Sequence, residues 1–144
     1  MTADEKTAAD QQLQQRATSE AEGKRSHYYY TMKPQAQVVG ASAERNEITV
    51  ALGDCGGMDE GVLATAADFW TSVVISATNG GRQSVTTSLA VQTLGQMGSL
   101  AVHVVCRAAN GHAVPAASAV FVAASDPSAV YATAAHTKAW ARQR

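Results

Sequence analysis

Residues Asp59-Glu60-Gly61-Val62-Leu63-Ala64-Thr65-Ala66-Ala67-Asp68-Phe69-Trp70-Thr71-Ser72-Val73-Val74-Ile75-Ser76-Ala77, closed by Thr78-Asn79-Gly80-Gly81, decide how this chain folds. Asp59 can cap the first turn of a helix, and Asn79-Gly80 supplies the left-handed residue that ends one, so both boundaries are written into the stretch. Between them Val62, Leu63, Ala66, Phe69, Trp70, Val73, Val74 and Ala77 point round almost the whole circumference, unlike the single apolar stripe of a surface helix. Such a helix needs structure on nearly every side. Asp68 interrupts the apolar wall, and because a carboxylate buried without partners is strongly disfavoured, it requires either a hydrogen-bonding network or a function.

Working outward, residues 1–26 are rich in Gln, Ala and charge, with Leu13 the only large aliphatic after Met1, which predicts a disordered or loosely helical polar arm. Residues 27–144 then form one domain. The aromatic run His27-Tyr28-Tyr29-Tyr30-Thr31-Met32 opens it, as packing for a sheet end or a partner. Gln35 to Ala43 and Glu47 to Leu52 read as a hairpin, with Ile48, Val50 and Leu52 alternating inward. A glycine-rich loop, Gly53-Asp54-Cys55-Gly56-Gly57-Met58, leads into the helix.

After the helix the apolar period changes from about 3.6 to 2. Val85, Thr87, Leu89, Val91 and Thr93 alternate with Thr86, Ser88, Ala90 and Gln92, and Leu100, Val102, Val104 and Cys106 alternate with His103 and Arg107. Asn110-Gly111 is a hairpin signal leading to a strand over His112 to Ala124, and Asp126-Pro127-Ser128 turns the chain into Ala129 to Lys138. Four strands joined by short turns predict an antiparallel meander, with a bulge or an edge near Pro115, which cannot donate to a ladder. The reading is an α+β fold, an antiparallel sheet of five to six strands curled around one long helix. Its free edges favour pairing with a second copy into a dimer.

A chain of 144 residues and 15.0 kDa fits one domain with a single core. Its net charge of -1 and pI near 6.4 give no electrostatic footprint for nucleic acid or an anionic membrane, which leaves small molecules and proteins as partners. Cys55 and Cys106 have no metal-ligand spacing, and His103 has no partner at ligand spacing, so no metal is expected. The first residues, Met1-Thr2-Ala3-Asp4-Glu5-Lys6, lack a signal-peptide pattern, and the apolar window Val62 to Ala77 is too short and too interrupted for a membrane span. A cytoplasmic location is expected, with a mitochondrial one as the alternative.

Three segments carry a resemblance: Glu60 to Asp68, Ser84-Val85-Thr86-Thr87-Ser88-Leu89-Ala90-Val91, and His136-Thr137-Lys138. Over residues 35–140 the chain resembles the hotdog-fold acyl-CoA thioesterases, in particular the small single-domain group of phenylacetyl-CoA-type enzymes and mammalian thioesterase superfamily members. In that family a His-Gly-Gly motif opens the helix and an acidic residue nine positions after the histidine is the base or nucleophile. The resemblance implies that Asp68 fills this role, and that Asp59-Glu60-Gly61 stands where the family has His-Gly-Gly. The oxyanion would then be bound by backbone N–H groups of Glu60 and Gly61 at the positive helix end. Thr86 matches the family's water-holding hydroxyl, whereas Ser88, Ala90 and Gln96 replace its usual Asp, Asn and Pro. The family's loop amide is missing; Asp54 is nearest.

On this resemblance the acyl chain lies near Phe69 and Trp70, which favours short acyl groups, and Arg82, His136 and Lys138 meet the phosphates of coenzyme A at a cationic mouth. No cofactor is implied beyond the coenzyme A of the substrate. The implied assembly is a homodimer or homotetramer with the site between subunits. The alternative is a catalytically inactive hotdog subunit serving as scaffold in a larger protein assembly, suggested by the departures at Asp59, Glu60, Ser88, Ala90 and Gln96.

Overall fold

The computed structural model of the chain describes residues 2–24, 36–54, 60–95, 101–109 and 114–142, the Asp54 side chain excepted. In chain order the elements are α1 (Ala3–Glu22), β1 (Gln37–Ser42), β2 (Glu47–Asp54), α2 (Glu60–Thr78), β3 (Ser84–Thr93), β4 (Ala101–Ala108), β5 (Ala116–Ala123) and β6 (Asp126–Trp140). The aromatic run at 27–32, Cys55, Gly56-Gly57, Asp59, Gln96 and Asn110-Gly111 lie outside the described residues.

Six strands form one antiparallel sheet in the order β1-β2-β4-β5-β6-β3. Alternation supplies its inner face: Ile48, Val50 and Leu52 on β2, Val102, Val104 and Cys106 on β4, and Ala119 and Phe121 on β5 are all buried. Against this face lies α2, in contact with β2, β3, β4, β5 and β6. A helix about 10 Å across can touch five strands, each about 4.8 Å from the next, only if the sheet curls around it. That fulfils the expectation of a sheet wrapped on a central helix. By length and composition α2 could span a membrane, yet most of it is buried inside this sheet.

The end of α2 follows its sequence signal. Gly80 takes φ 64, and the Gly81 N–H returns to the Ser76 carbonyl at 2.8 Å, closing the helix with a left-handed cap.

The four strands after α2 do not form the expected meander. Only β4, β5 and β6 run in sequence; β3 pairs with β6 and leaves β4 to pair with β2. The reason lies in the side chains: β4 alternates buried and accessible residues as an interior strand does, while β3 is exposed or half-buried along its whole length and suits an edge. Pro115 also differs from expectation, because it stands just before β5 and interrupts no strand; its carbonyl accepts the Lys138 N–H at 2.8 Å.

The amino-terminal segment, expected as a disordered or loosely helical arm, is helical and docked on the domain. α1 is a 20-residue helix with a capping box, in which the Thr2 hydroxyl accepts the Glu5 N–H and the Glu5 carboxylate accepts the Thr2 N–H. Leu13, Ala17 and Ala21, spaced by four, are buried against the domain. Small residues let the helix sit close, so one Leu and a stripe of Ala suffice. Part-buried polar contacts help to fix it: Asp10 Oδ1 accepts the Ala43 N–H at 2.8 Å, and Arg16 Nε donates to the Ala77 carbonyl at 3.1 Å. Ala77 lies in the last turn of α2, whose carbonyls lack intrahelical partners and favour a cation.

Candidate active site

The circumference of α2 is not fully covered. Gly61, Thr65, Asp68 and Ser72, spaced 4, 3 and 4 residues apart along one stripe, remain exposed or half-buried. Asp68 sits in the middle of this stripe with 40% of its side chain exposed. It faces the edge strand β3.

On β3, Thr86 pairs with Lys138 and Ser88 pairs with Thr137, so Thr87 is an extra residue, a β-bulge. Beyond it, Leu89 pairs with His136. Strict alternation would put Thr86 on the face opposite Leu89 and Val91. The bulge reverses this and turns the Thr86 hydroxyl inward, where bulges commonly re-aim a side chain.

On β6, Ala132, Ala134, His136 and Lys138 follow one another at a spacing of two, and all are buried against α2. His136 is 1% exposed and Lys138 6%. The strand's alternation carries both side chains to the inner face, beside α2.

These three elements build a connected polar cluster. His136 Nε2 lies 2.7 Å from Thr86 Oγ1 and 3.6 Å from Asp68 Oδ1, and Thr86 Oγ1 lies 3.5 Å from that same carboxylate oxygen. On its other side, His136 Nδ1 lies 2.7 Å from Thr71 Oγ1, whose own proton goes to the Ala67 carbonyl one turn back. Lys138 Nζ donates to Ser72 Oγ at 2.8 Å. Burial, then the charge of Lys138, holds His136 below the usual histidine range, with Asp68 acting in the opposite direction. Burial also lowers Lys138, opposed by Asp68 and reinforced by Lys24.

The cluster opens into a cleft of about 520 Å³ lined by Gly23, Lys24, Asp68, Phe69, Ser72, Ser84, Val85, Thr86 and Lys138. That volume is of the size small-molecule sites take. Of the expected acyl-lining pair, Phe69 lines the cleft and Trp70 does not. Two residues beyond Asp68, Trp70 points some 200° away round the helix into the core, where it is fully buried and meets Phe69 edge to face at 4.8 Å. Arg82 is not among the lining residues; it stacks over Trp140 at 4.4 Å. Glu60 opens α2, exposed, with its carboxylate accepting from the Thr93 hydroxyl at 3.4 Å. Gly61 follows it in the first turn.

Sequence reasoning missed Thr71, Ser72 and Lys24. Thr71 and Ser72 stand three and four residues after Asp68, on its own face of the helix, and that spacing was the available signal. Lys24 had none, because its place depends on the docking of α1. Among the described residues no group of His, Cys, Asp and Glu is arranged to hold a metal ion.

No protein-family model matches the sequence, and no curated protein does. Solved structures match it closely in shape. Zebrafish thioesterase superfamily member 2 superimposes with a TM-score of 0.69 at 14% identity, over 88% of this chain and 94% of that one. The Escherichia coli PaaI protein from the phenylacetic acid degradation operon gives 0.69 at 11% identity, over 90% and 96%. A Streptococcus mutans protein bound to acetyl-CoA gives 0.61 at 17% identity, over 76% and 91%. At such identities shape is what is shared, and the shape is consistent: this chain has the hotdog fold, as its structural neighbours in the thioesterase superfamily do.

Proposed function

We propose that the protein is an acyl-CoA thioesterase in which Asp68 activates water. The observation that carries this reading is the meeting of Asp68 Oδ1 and Thr86 Oγ1, 3.5 Å apart, at the wall of an open cleft. A water bridging the two would give one proton to the carboxylate while its oxygen attacks the thioester carbonyl. The tetrahedral intermediate then collapses with cleavage of the C–S bond, the proton held by Asp68 passes to the departing thiolate of coenzyme A, and the carboxylic acid leaves. Direct attack by the Asp68 carboxylate is the other route open to the same group.

The oxyanion donors come from a second copy of the chain. Gly61 precedes Asp68 by two turns of α2, about 10 Å along the axis, too far for its N–H to serve the carbonyl attacked beside Asp68 of the same chain. A homodimer removes that distance, and β3 offers the surface for it: a ten-residue edge strand with Val85 57% exposed. Two such dimers can pair into a tetramer. Phe69 in the cleft wall limits its depth and favours short acyl groups. The structural neighbours include a protein bound to acetyl-CoA, which supports acyl-CoA as the ligand class here.

The test is hydrolysis of acetyl- to palmitoyl-CoA by the wild type and by Asp68→Ala and Asp68→Asn. Turnover that peaks at short chains and is lost in both variants is expected. Equal turnover in all three overturns the assignment of Asp68. A wild type without turnover that purifies bound to another protein would favour an inactive subunit of a larger assembly.

A further inference from the structure

We propose that His136, buried behind the cleft, is a positioning residue that fixes the direction of the Thr86 hydroxyl, and that a proton on its ring reverses that hydroxyl and closes the site. This rests on the thioesterase reading above and adds to it a residue that touches neither substrate nor water.

The argument starts from Thr71. Its hydroxyl proton is committed to the Ala67 carbonyl, so toward His136 Nδ1, 2.7 Å away, its oxygen can only accept. Nδ1 must therefore carry the ring proton. In the neutral ring Nε2 is then bare, and Thr86 Oγ1 at 2.7 Å donates to it in preference to the Asp68 oxygen at 3.5 Å. With its proton turned inward, the Thr86 oxygen presents lone pairs to the cleft. It can accept one proton of a water whose other proton points at Asp68.

Protonation undoes each part. Nε2–H becomes a donor, Thr86 must accept from it, and the Thr86 proton swings toward Asp68, occupying the oxygen that the water needs. The imidazolium also lies 3.6 Å from that carboxylate oxygen and pairs with it. The groups that set the ring's charge are Asp68 on α2 and Lys138 on β6; the register partners of His136 on β3 and β5 are Leu89 and Ala117, which carry no charge.

Two measurements on the full-length chain test this. Long-range proton–nitrogen NMR of His136 needs no substrate: the Nδ1–H tautomer is expected in the wild type and a mixture of tautomers in Thr71→Val. The pH profile of kcat is the second. The wild type should lose activity as His136 takes up its proton. His136→Gln, whose side-chain oxygen can accept from Thr86 at any pH, should keep turnover within about tenfold and move the acid limb at least one unit lower. His136→Met, which has no such acceptor, should lose about tenfold to a hundredfold in kcat with KM little changed. An Nε2–H tautomer in the wild type overturns the proposal whatever the activity, and so does an acid limb that stays in place in His136→Gln. A wild type with no turnover at any pH sinks the thioesterase reading alone; the tautomers of the wild type and Thr71→Val still decide whether His136 orients Thr86.

Discussion

Thr86 stands opposite Lys138 in the ladder between β3 and β6, one residue out of the alternation that the rest of β3 obeys. The displacement is the bulge at Thr87, whose hydroxyl bonds to the Thr137 carbonyl at 2.9 Å. Deleting Thr87 removes the extra residue and should leave Thr86 opposite Lys138 in an unbroken ladder, its hydroxyl still on the inner face toward His136 and Asp68. Thioester hydrolysis should stay within about tenfold of the wild type, with the far-ultraviolet circular dichroism unchanged. A loss of about a hundredfold or more would show that the local twist of the bulge, and not only the face it selects, aims the site.

Asp68→Asn keeps the size of the side chain and removes its basicity. The kcat for an acetyl-CoA substrate should drop by about 10² to 10⁴, with coenzyme A binding, followed by calorimetry, changed less than threefold. Loss of binding with unchanged kcat would instead make Asp68 a binding group.

The docking of α1 rests on few apolar atoms, and Leu13 supplies most of them. Leu13→Ala should lower unfolding stability by about 3 kcal/mol in urea, because a buried leucine leaves both lost transfer energy and a cavity. A change below about 0.5 kcal/mol would mean that α1 is detached in solution.

Acid should weaken the fold through His136. Its folded pKa lies below the usual value of about 6.5 for an unfolded chain, so the unfolded state binds the proton first. Stability is therefore complete above that value, declines as pH falls through it, and levels off once the folded ring is also protonated. Urea midpoints between pH 8 and pH 4 should show a steeper decline for the wild type than for His136→Gln. Parallel curves for the two would remove the link.

Cys106 is buried on β4, and burial, followed by the charge of Glu47, pushes its thiol far up. Its thiolate is scarce in the native state. N-ethylmaleimide should leave the Cys106 peptide unmodified in native buffer for hours and label it promptly in urea, as read by mass spectrometry. Fast native labelling would mean that the β2–β4–β5 region opens readily.

Much of the fold was legible because it is written in period and punctuation. The helix from Glu60 to Thr78, the strands at Glu47, Ser84 and Ala101, and the position of Asp68 follow from hydrophobic spacing and from Asn79-Gly80. The face that β6 turns inward was not legible. Ala132, Ala134, Ala135 and Ala139 put small apolar residues on both sides of that strand, so nothing local said whether His136 and Lys138 lay inside or out. The docking of the arm was illegible for a related reason: Ala17 and Ala21 are too small to signal a buried face unless their neighbour is known.

The sequence by itself determined which segments are helix and strand and that one carboxylate interrupts the central helix, since both depend on neighbours a few residues apart. Only the tertiary structure decided that β3 lies beside β6, that the bulge at Thr87 keeps Thr86 inward, and that His136 and Lys138 join Asp68 at a cleft walled in part by Gly23 and Lys24, just after α1. Those choices depend on contacts between distant residues, such as Ser72 and Lys138, 66 positions apart, whose energies come from burial and pairing across elements and leave no periodic trace along the chain.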